Sequence, residues 1–351
     1  PPRSTLFPYT TLFRSKNGFV GMGAGDLVTL DMGGPVKLKV NQGTLNALIS
    51  NGGAIKAEAG HVLLTAKAAG DLAASVINNT GIVEATGITQ AGGTIALSAD
   101  IVSQTGSLDA SSSQGKGGNI TVNAGLLIDS GSSTANGAQG GSIVQTANDI
   151  QQSSGARLSA NASNGKGGTI RINGGDVAYL SGSVQATGTQ GGSLHVSAKT
   201  LTAAGLQADT SGSQQAGELL IGGGWQGKDS RVVNAQTTNI SNTSLLSNQG
   251  SNGTLVVWSD NQTTFNGSID AKGSAVEISG KENLNAYLGK VQAQSLLLDP
   301  KNIEIKAASG GTADAVSTAT FGNNASGNSI ITPGSIKALI NAGKAVTLQA
   351  N

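Results

Sequence analysis

One phrase recurs through the middle of this 351-residue chain and limits what it can fold into. It reads Gly92-Gly93-Thr94-Ile95-Ala96-Leu97, then Gly117-Gly118-Asn119-Ile120-Thr121-Val122, then Gly140-Gly141-Ser142-Ile143-Val144. Gly167-Gly168-Thr169-Ile170-Arg171-Ile172 and Gly191-Gly192-Ser193-Leu194-His195-Val196 follow, with a blurred copy at Ala216-Gly217-Glu218-Leu219-Leu220-Ile221. The first glycines stand 25, 23, 27 and 24 residues apart, and a period in the twenties marks a solenoid. Inside each phrase apolar residues alternate with small or polar ones, the period-two pattern of strands with one buried face. About 24 residues hold three short strands and three turns, one coil of a β-helix. The pattern therefore predicts an all-β, right-handed parallel β-helix of about 23–27 residues per coil.

In that register Ile95, Ile120, Ile143, Ile170, Leu194 and Leu219 stack inward, as do Leu97, Val122, Ile172, Val196 and Ile221. Arg171 and His195 take the outward face. Gln145 falls in an inward slot, which predicts a bulge or a small slip there. The Gly-Gly pairs are expected at corners, where positive φ or close backbone approach excludes a side chain.

Composition agrees. Glycine is 53 of 351 residues, charged residues are 12% and aromatics 3%, yet 37% are hydrophobic and regularly spaced. Disorder would need scarcer aliphatics and more net charge than +1. Near-neutrality gives no electrostatic case for nucleic acid or an anionic membrane. Without cysteine there are no disulfides and no thiolate metal sites, and the longest aliphatic runs, such as Leu296-Leu297-Leu298, are strand-sized.

Residues 1–15 depart from the pattern. Phe7, Tyr9, Phe13, Pro1, Pro2 and Pro8 crowd into them, and Thr5-Leu-Phe-Pro-Tyr-Thr-Thr-Leu-Phe-Arg-Ser15 is similar to the translation of a common short-read sequencing adapter. They are read as foreign and disordered, and the chain, which lacks an initiator Met, as a fragment cut at both ends. Residues 16–91 are strand-like but less regular, with Thr44 to Ile49 either a helical turn or a coil corner. Residues 92–306 form the repetitive shaft, 307–329 a Gly/Ala/Ser/Asn-rich link, and 330–351 the start of a further repeat block.

Several phrases carry a resemblance. Val36-Lys-Leu-Lys-Val40, Val62-Leu-Leu-Thr-Ala-Lys-Ala68 and Val76-Ile-Asn-Asn-Thr-Gly-Ile-Val-Glu-Ala85 are joined by Asn252-Gly-Thr-Leu-Val-Val-Trp-Ser259 and Leu296-Leu-Leu-Asp-Pro-Lys-Asn-Ile303. Over roughly residues 18–351 the chain resembles the filamentous haemagglutinin family, large exoproteins of Gram-negative two-partner secretion. The resemblance implies that 16–91 closes a secretion domain and that 92–306 opens an adhesin shaft. It also implies an outer-membrane transporter as partner and a secreted, cell-surface location. Physically, Pro300 lacks an N–H and ends a strand, so the Leu-Leu-Leu-Asp-Pro phrase reads as a coil terminator.

Residues that could carry chemistry are thinly spread. His61 and His195 are the only histidines, and His195 is expected exposed on its outward face. Beyond the first fifteen residues the arginines are Arg157, Arg171 and Arg231; Asp100, Asp109, Asp129, Asp149, Asp176 and Asp209 read as solubilising turn residues. Gly115-Lys-Gly-Gly118 and Gly165-Lys-Gly-Gly168 precede strands, whereas a phosphate loop precedes a helix, so they read as corners. Trp225, Trp258 and Phe265 suit packing at a coil irregularity better than sugar stacking. Asn-x-Ser/Thr sequons at Asn78, Asn119, Asn161, Asn239, Asn242, Asn252, Asn261, Asn266 and Asn324 are what an Asn/Ser/Thr-rich chain produces by chance.

No catalytic, cofactor-binding or metal residue is assigned, and receptor-binding residues are unknown. The expected function is attachment to host cells, other bacteria or surfaces through glycans or proteins. The alternatives are the stem of a contact-dependent growth-inhibition toxin, which shares the shaft, and a carbohydrate-active β-helix enzyme.

Overall fold

The computed structural model describes residues 12–31, 37–45, 47–69, 74–88, 91–288, 290–305, 322–323 and 329–350. Short strands separated by corners wind into a parallel β-solenoid of about 10 turns. The alternation seen in the repeats sets its register. Val20, Val62, Ile95, Ile120, Ile143, Ile170, Leu194, Leu219, Leu255, Val276, Leu296 and Val346 stack rung upon rung in the first of three strand columns. Leu97, Val122, Ile172, Val196 and Ile221 are equally buried two residues on. Ile77, Val102, Leu127 and Ile150 line the second column and Ile55, Val83 and Leu108 the third, so one continuous core runs along the axis.

The glycine pairs act through close approach. A Cβ on Gly93, Gly118, Gly141, Gly168, Gly192 or Gly217 would fall on the carbonyl oxygen of the glycine one coil below. None of the six has a positive φ. Neighbouring coils come too close at this corner for any side chain.

Gln145 neither bulges nor slips. It stays in register between Val122 and Ile172, fully buried, because polar partners meet it inside. The register shift comes later, between Ala147 and Asp149. The 23–27-residue coil holds from Ile95 to Leu219; Leu255 to Val276 and Val276 to Leu296 are tighter, at 21 and 20 residues, and the remaining rungs are separated by insertions that leave through corners. An antiparallel hairpin, Leu27–Asp31 with Lys37–Gln42, seats Leu38 and Val28 against Gly21 and Gly23, which have no side chains to keep it off. The 36 residues from Leu219 to Leu255 carry a strap, 222–235. The 50 residues from Leu296 to Val346 contain a helix, Pro333–Asn341.

That helix lies where the sequence reading placed a new repeat block. Thr332 caps it by accepting from Ser335 N at 3.1 Å and Pro333 occupies its first turn, both standard start signals. The chain then rejoins the first column at Ala345–Leu348. Leu48–Asn51 forms a strand and Thr44 bridges Ala68, so the described residues of 44–49 run into a strand and not a helical turn. Leu298 ends its strand immediately before Asp299-Pro300. Leu12–Arg14, inside the segment expected to be disordered, pairs in parallel with Ala54–Lys56. All three of its side chains are exposed, so only backbone bonding and the exposed Arg14–Glu58 ion pair hold it. Residues 1–11 and most of 307–329 lie outside the described residues. The columns cross position 92 without a break, since Val62 pairs with Ile95.

Candidate functional site

The most elaborated surface is the outward face of the first column where the strap crosses it. The strap begins as glycine: Gly222 and Gly227 take φ of 76° and 63°, and Gln226 adopts the same left-handed region at 53°. These turn the chain off the end of Glu218–Ile221, through a short 3-10 turn at Trp225–Gly227, and back to Ala235, whose N–H donates to Gly222 O at 2.8 Å. Beneath it Leu220, Val256 and Trp258, outward-facing and apolar, close on Val232 to form a second small core. Gly227 lies flat against the Trp258 indole, where a Cβ would collide with the ring. Trp258 Nε1 donates to Asp260 Oδ1 at 3.1 Å and Asn234 Nδ2 donates to the same oxygen at 3.0 Å, so the buried ring keeps a polar partner.

Two polar clamps hold the strap. At one, His195 Nε2 meets Glu218 Oε2 at 2.7 Å, and Arg231 donates to Glu218 Oε1 at 2.6 Å and, through Nε, to Asp229 Oδ1 at 2.9 Å. The Arg231 hydrogen bond holds Asp229 down at about 2, and the His195 hydrogen bond leads in lowering Glu218. At the other, Gln226 N donates to Glu277 Oε2 at 2.7 Å, and Gln226 Nε2 reaches Gln349 Oε1 at 3.1 Å and Asp299 Oδ2 at 3.4 Å. Glu277 is buried beneath the strap, and burial pushes its carboxyl up to about 7.

These placements correct three expectations. His195 is on the outward side of its strand but is 3% exposed, because the strap and Glu218 cover it. Asp129 is not a solubilising turn residue; it is buried in the interior. The Leu-Leu-Leu-Asp-Pro phrase does more than end a strand, since Asp299 takes part in the second clamp. Phe265 belongs to the main core and Trp258 to the small one, while Trp225 is exposed. His61 is exposed on the outward column many rungs away and Arg157 lies on another column, while Arg171 stands next to His195 on the adjacent coil. Lys116 and Lys166 sit at corners, paired with Gln139 and Gln190. Of the sequons, Asn119, Asn242, Asn252, Asn261 and Asn266 are exposed, Asn78, Asn161 and Asn239 half-buried, and Asn324 lies outside the described residues.

Chemically the arrangement holds the strap in place. His195 Nε2 is engaged by Glu218, and its buried Nδ1 has no hydrogen-bond partner, so no serine hydroxyl sits on the ring to complete a triad. Arg231 is occupied by two carboxylates. Among the described residues no group of three or more metal-ligating side chains converges. An open groove of about 360 Å³ runs beside the strap, floored by the glycine corners Gly191, Gly192 and Gly217 and edged by Lys166, Gln190 and Arg231. It is polar and shallow, suited to a surface contact more than to enclosing a small molecule. Among the described residues no helix is long and apolar enough to cross a membrane.

No family model and no curated protein matches the chain. Among solved structures, the crystal structure of the HMW1 secretion domain from Haemophilus influenzae is similar, with a TM-score of 0.56 and 23% sequence identity over 71% of this chain and 79% of that one. At that identity the likeness is one of fold: both chains are built on the same kind of parallel β-solenoid.

Proposed function

We propose that the chain is part of an exoprotein of two-partner secretion, exported across the outer membrane by a dedicated transporter and acting outside the cell as a non-catalytic shaft that makes surface contacts. The observation that carries this reading is the fold likeness to a secretion domain over 71% of the chain. The family phrases at Val62 to Ala68, Asn252 to Ser259 and Leu296 to Ile303 support it. The family resemblance ends the secretion domain in 16–91 and starts the shaft in 92–306, but the fold likeness covers 71% of the chain, more than 16–91 holds, so secretion-domain-like coils extend into the shaft in this reading.

The surface supports an adhesive reading. Outward positions of the first column run Thr94, Asn119, Ser142, Thr169 and Ser193, hydroxyls and amides repeated once per coil. Such a face makes weak polar contacts that gain strength through repetition along the rod and across copies. Its partners would be glycans or proteins of a host or bacterial surface.

Deleting the transporter gene of the corresponding locus in the source bacterium tests the export step. The exoprotein should vanish from the medium and the cell surface; unchanged export would overturn the proposal. Attachment of beads coated with the purified chain to epithelial and bacterial cells tests the second step. Binding no greater than that of albumin-coated beads would remove the adhesive role and leave the export reading standing.

A further inference from the structure

One interior column breaks the rule that the solenoid core is apolar. Asn51, Asn79, Gln104, Asp129 and Gln152 stand in register on successive coils, and all are buried. Amide hydrogen bonds join the first three: Asn51 Nδ2 donates to Asn79 Oδ1 and Asn79 Nδ2 to Gln104 Oε1, both at 2.7 Å. From the first column Gln145 reaches across, donating to Asp129 Oδ2 at 2.7 Å and accepting from Gln152 Nε2 at 2.8 Å. Past Gln152 the corresponding positions turn apolar, with Leu180, Ala203, Ile240 and Phe265 in a stack.

Asp129 is the one carboxyl in this column. The side chains around it are neutral: Gln104 and Gln152 on the adjacent coils, Gln145 across the core and Ser133 on the neighbouring strand of its own coil. Among the described residues no lysine or arginine is buried, so no cation offsets an ionised Asp129. Two buried oxygens in the same coils lack a hydrogen-bond partner, Gln152 Oε1 and Ser133 Oγ. An amide oxygen only accepts, and a carboxylate only accepts, so an ionised Asp129 leaves Gln152 Oε1 unsatisfied. A carboxylic acid carries a donor that the carboxylate lacks.

We infer that Asp129 is a proton-operated joint of the solenoid interior: as the acid it donates towards Gln152 Oε1 and completes the polar column, and as the carboxylate it leaves an uncompensated charge in the core and loosens these coils. Burial pushes this carboxyl up to about 6, against the opposing hydrogen bonds from Gln145 and Gly131. The unfolded chain releases the same proton near about 3.9. The folded value is the higher one, so the stabilisation is fully present below about pH 4 and is lost as pH rises through about 6. A difference of about two pKa units corresponds to a factor of roughly 100 in the folding constant.

The test is chemical denaturation of the whole chain from pH 4 to 7.5, with hydrogen exchange read in Leu126–Asp129 and Ser142–Gln152 after correction for intrinsic rates. The wild type should lose protection in those two strands by up to about 100-fold across this window. Asp129→Asn should flatten that loss and match or exceed the wild type at pH 7.5, because it stays uncharged at every pH. Glu277→Gln, which removes a buried carboxyl on other coils, should leave the local loss in place. Asp129→Asn following the wild-type slope, or falling below the wild type at pH 7.5, would overturn the inference. Should Asp129→Asn not fold, infrared spectra of Glu277→Gln at pH 5, which lack the Glu277 acid, decide: a buried protonated-carboxyl carbonyl band must remain, and its absence overturns the inference.

Discussion

The Arg231 guanidinium donates to Glu218 Oε1 at 2.6 Å, and this contact fastens the far limb of the 222–235 strap to the first strand column. Arg231 is more than half exposed, so replacing it with Ala should cost only about 0–1 kcal/mol. Trp258→Ala removes the buried ring the strap rests on and should cost about 3–5 kcal/mol. Thermal denaturation of the two variants checks the order. An Arg231→Ala cost equal to that of Trp258→Ala would mean that the ion network, and not the small core, holds the strap.

Ile170 and Arg171 are sequence neighbours on opposite faces. Ile170 is fully buried between Ile143 and Leu194, and Arg171 points outward between Val144 and His195. Ile170→Asp buries an unpaired charge and should unfold the neighbouring coils, at a cost above about 4 kcal/mol. Arg171→Ser should stay within about 0.5 kcal/mol. Urea denaturation reads both, and equal losses would mean the register is wrong.

The inward columns could be read in advance because alternation and the Gly-Gly spacing act together: one sets the face, the other the rung. The same alternation also placed Asn79 two residues past Ile77, Gln104 past Val102, Asp129 past Leu127 and Gln152 past Ile150, all inward. They were unreadable as core only because residue type argued against position, and position wins where the column supplies hydrogen-bond partners. The burial of His195 was beyond local reading. It depends on Glu218, 23 positions later, and on the strap that follows it. The helix at Pro333–Asn341 carried a readable signal in Thr332-Pro333, outweighed by the strand-like surroundings.

Glycine at the corners is a packing requirement, and it predicts a sharp contrast. Gly118→Ala would place its methyl on the backbone of Gly92 and Gly93, atoms that cannot move aside without breaking the rung. It should cost more than about 2 kcal/mol. Gly52→Ala meets only the Thr80 hydroxyl at 3.7 Å and should be within about 0.5 kcal/mol of wild type. Denaturation midpoints of the two variants, compared at one pH, provide the check. A tolerated Gly118→Ala would show that the coils can separate at this corner, contrary to the close stacking described above.

Glu277 links the strap to pH. Its carboxyl accepts from Gln226 N at 2.7 Å but is buried, with Oε1 unpartnered, and stands at about 7 against an ordinary value of 4.5. The folded value is raised, so the stabilisation is whole below about pH 4.5 and is lost as pH climbs through about 7. Glu277→Gln keeps an oxygen to accept from Gln226 N and removes the ionisation. The variant should therefore hold its strap equally well at pH 5 and pH 8, whereas the wild type should hold it less well at pH 8. Fluorescence quenching reads this only after Trp225→Phe, because Trp225 is already exposed and would mask the signal from the buried Trp258. In that background, acrylamide should reach Trp258 more readily at pH 8 than at pH 5 when Glu277 is present, and equally at both when it is Gln. A pH-dependent quenching that survives Glu277→Gln would place the sensitive group elsewhere, with His195 beneath the other clamp the next to replace.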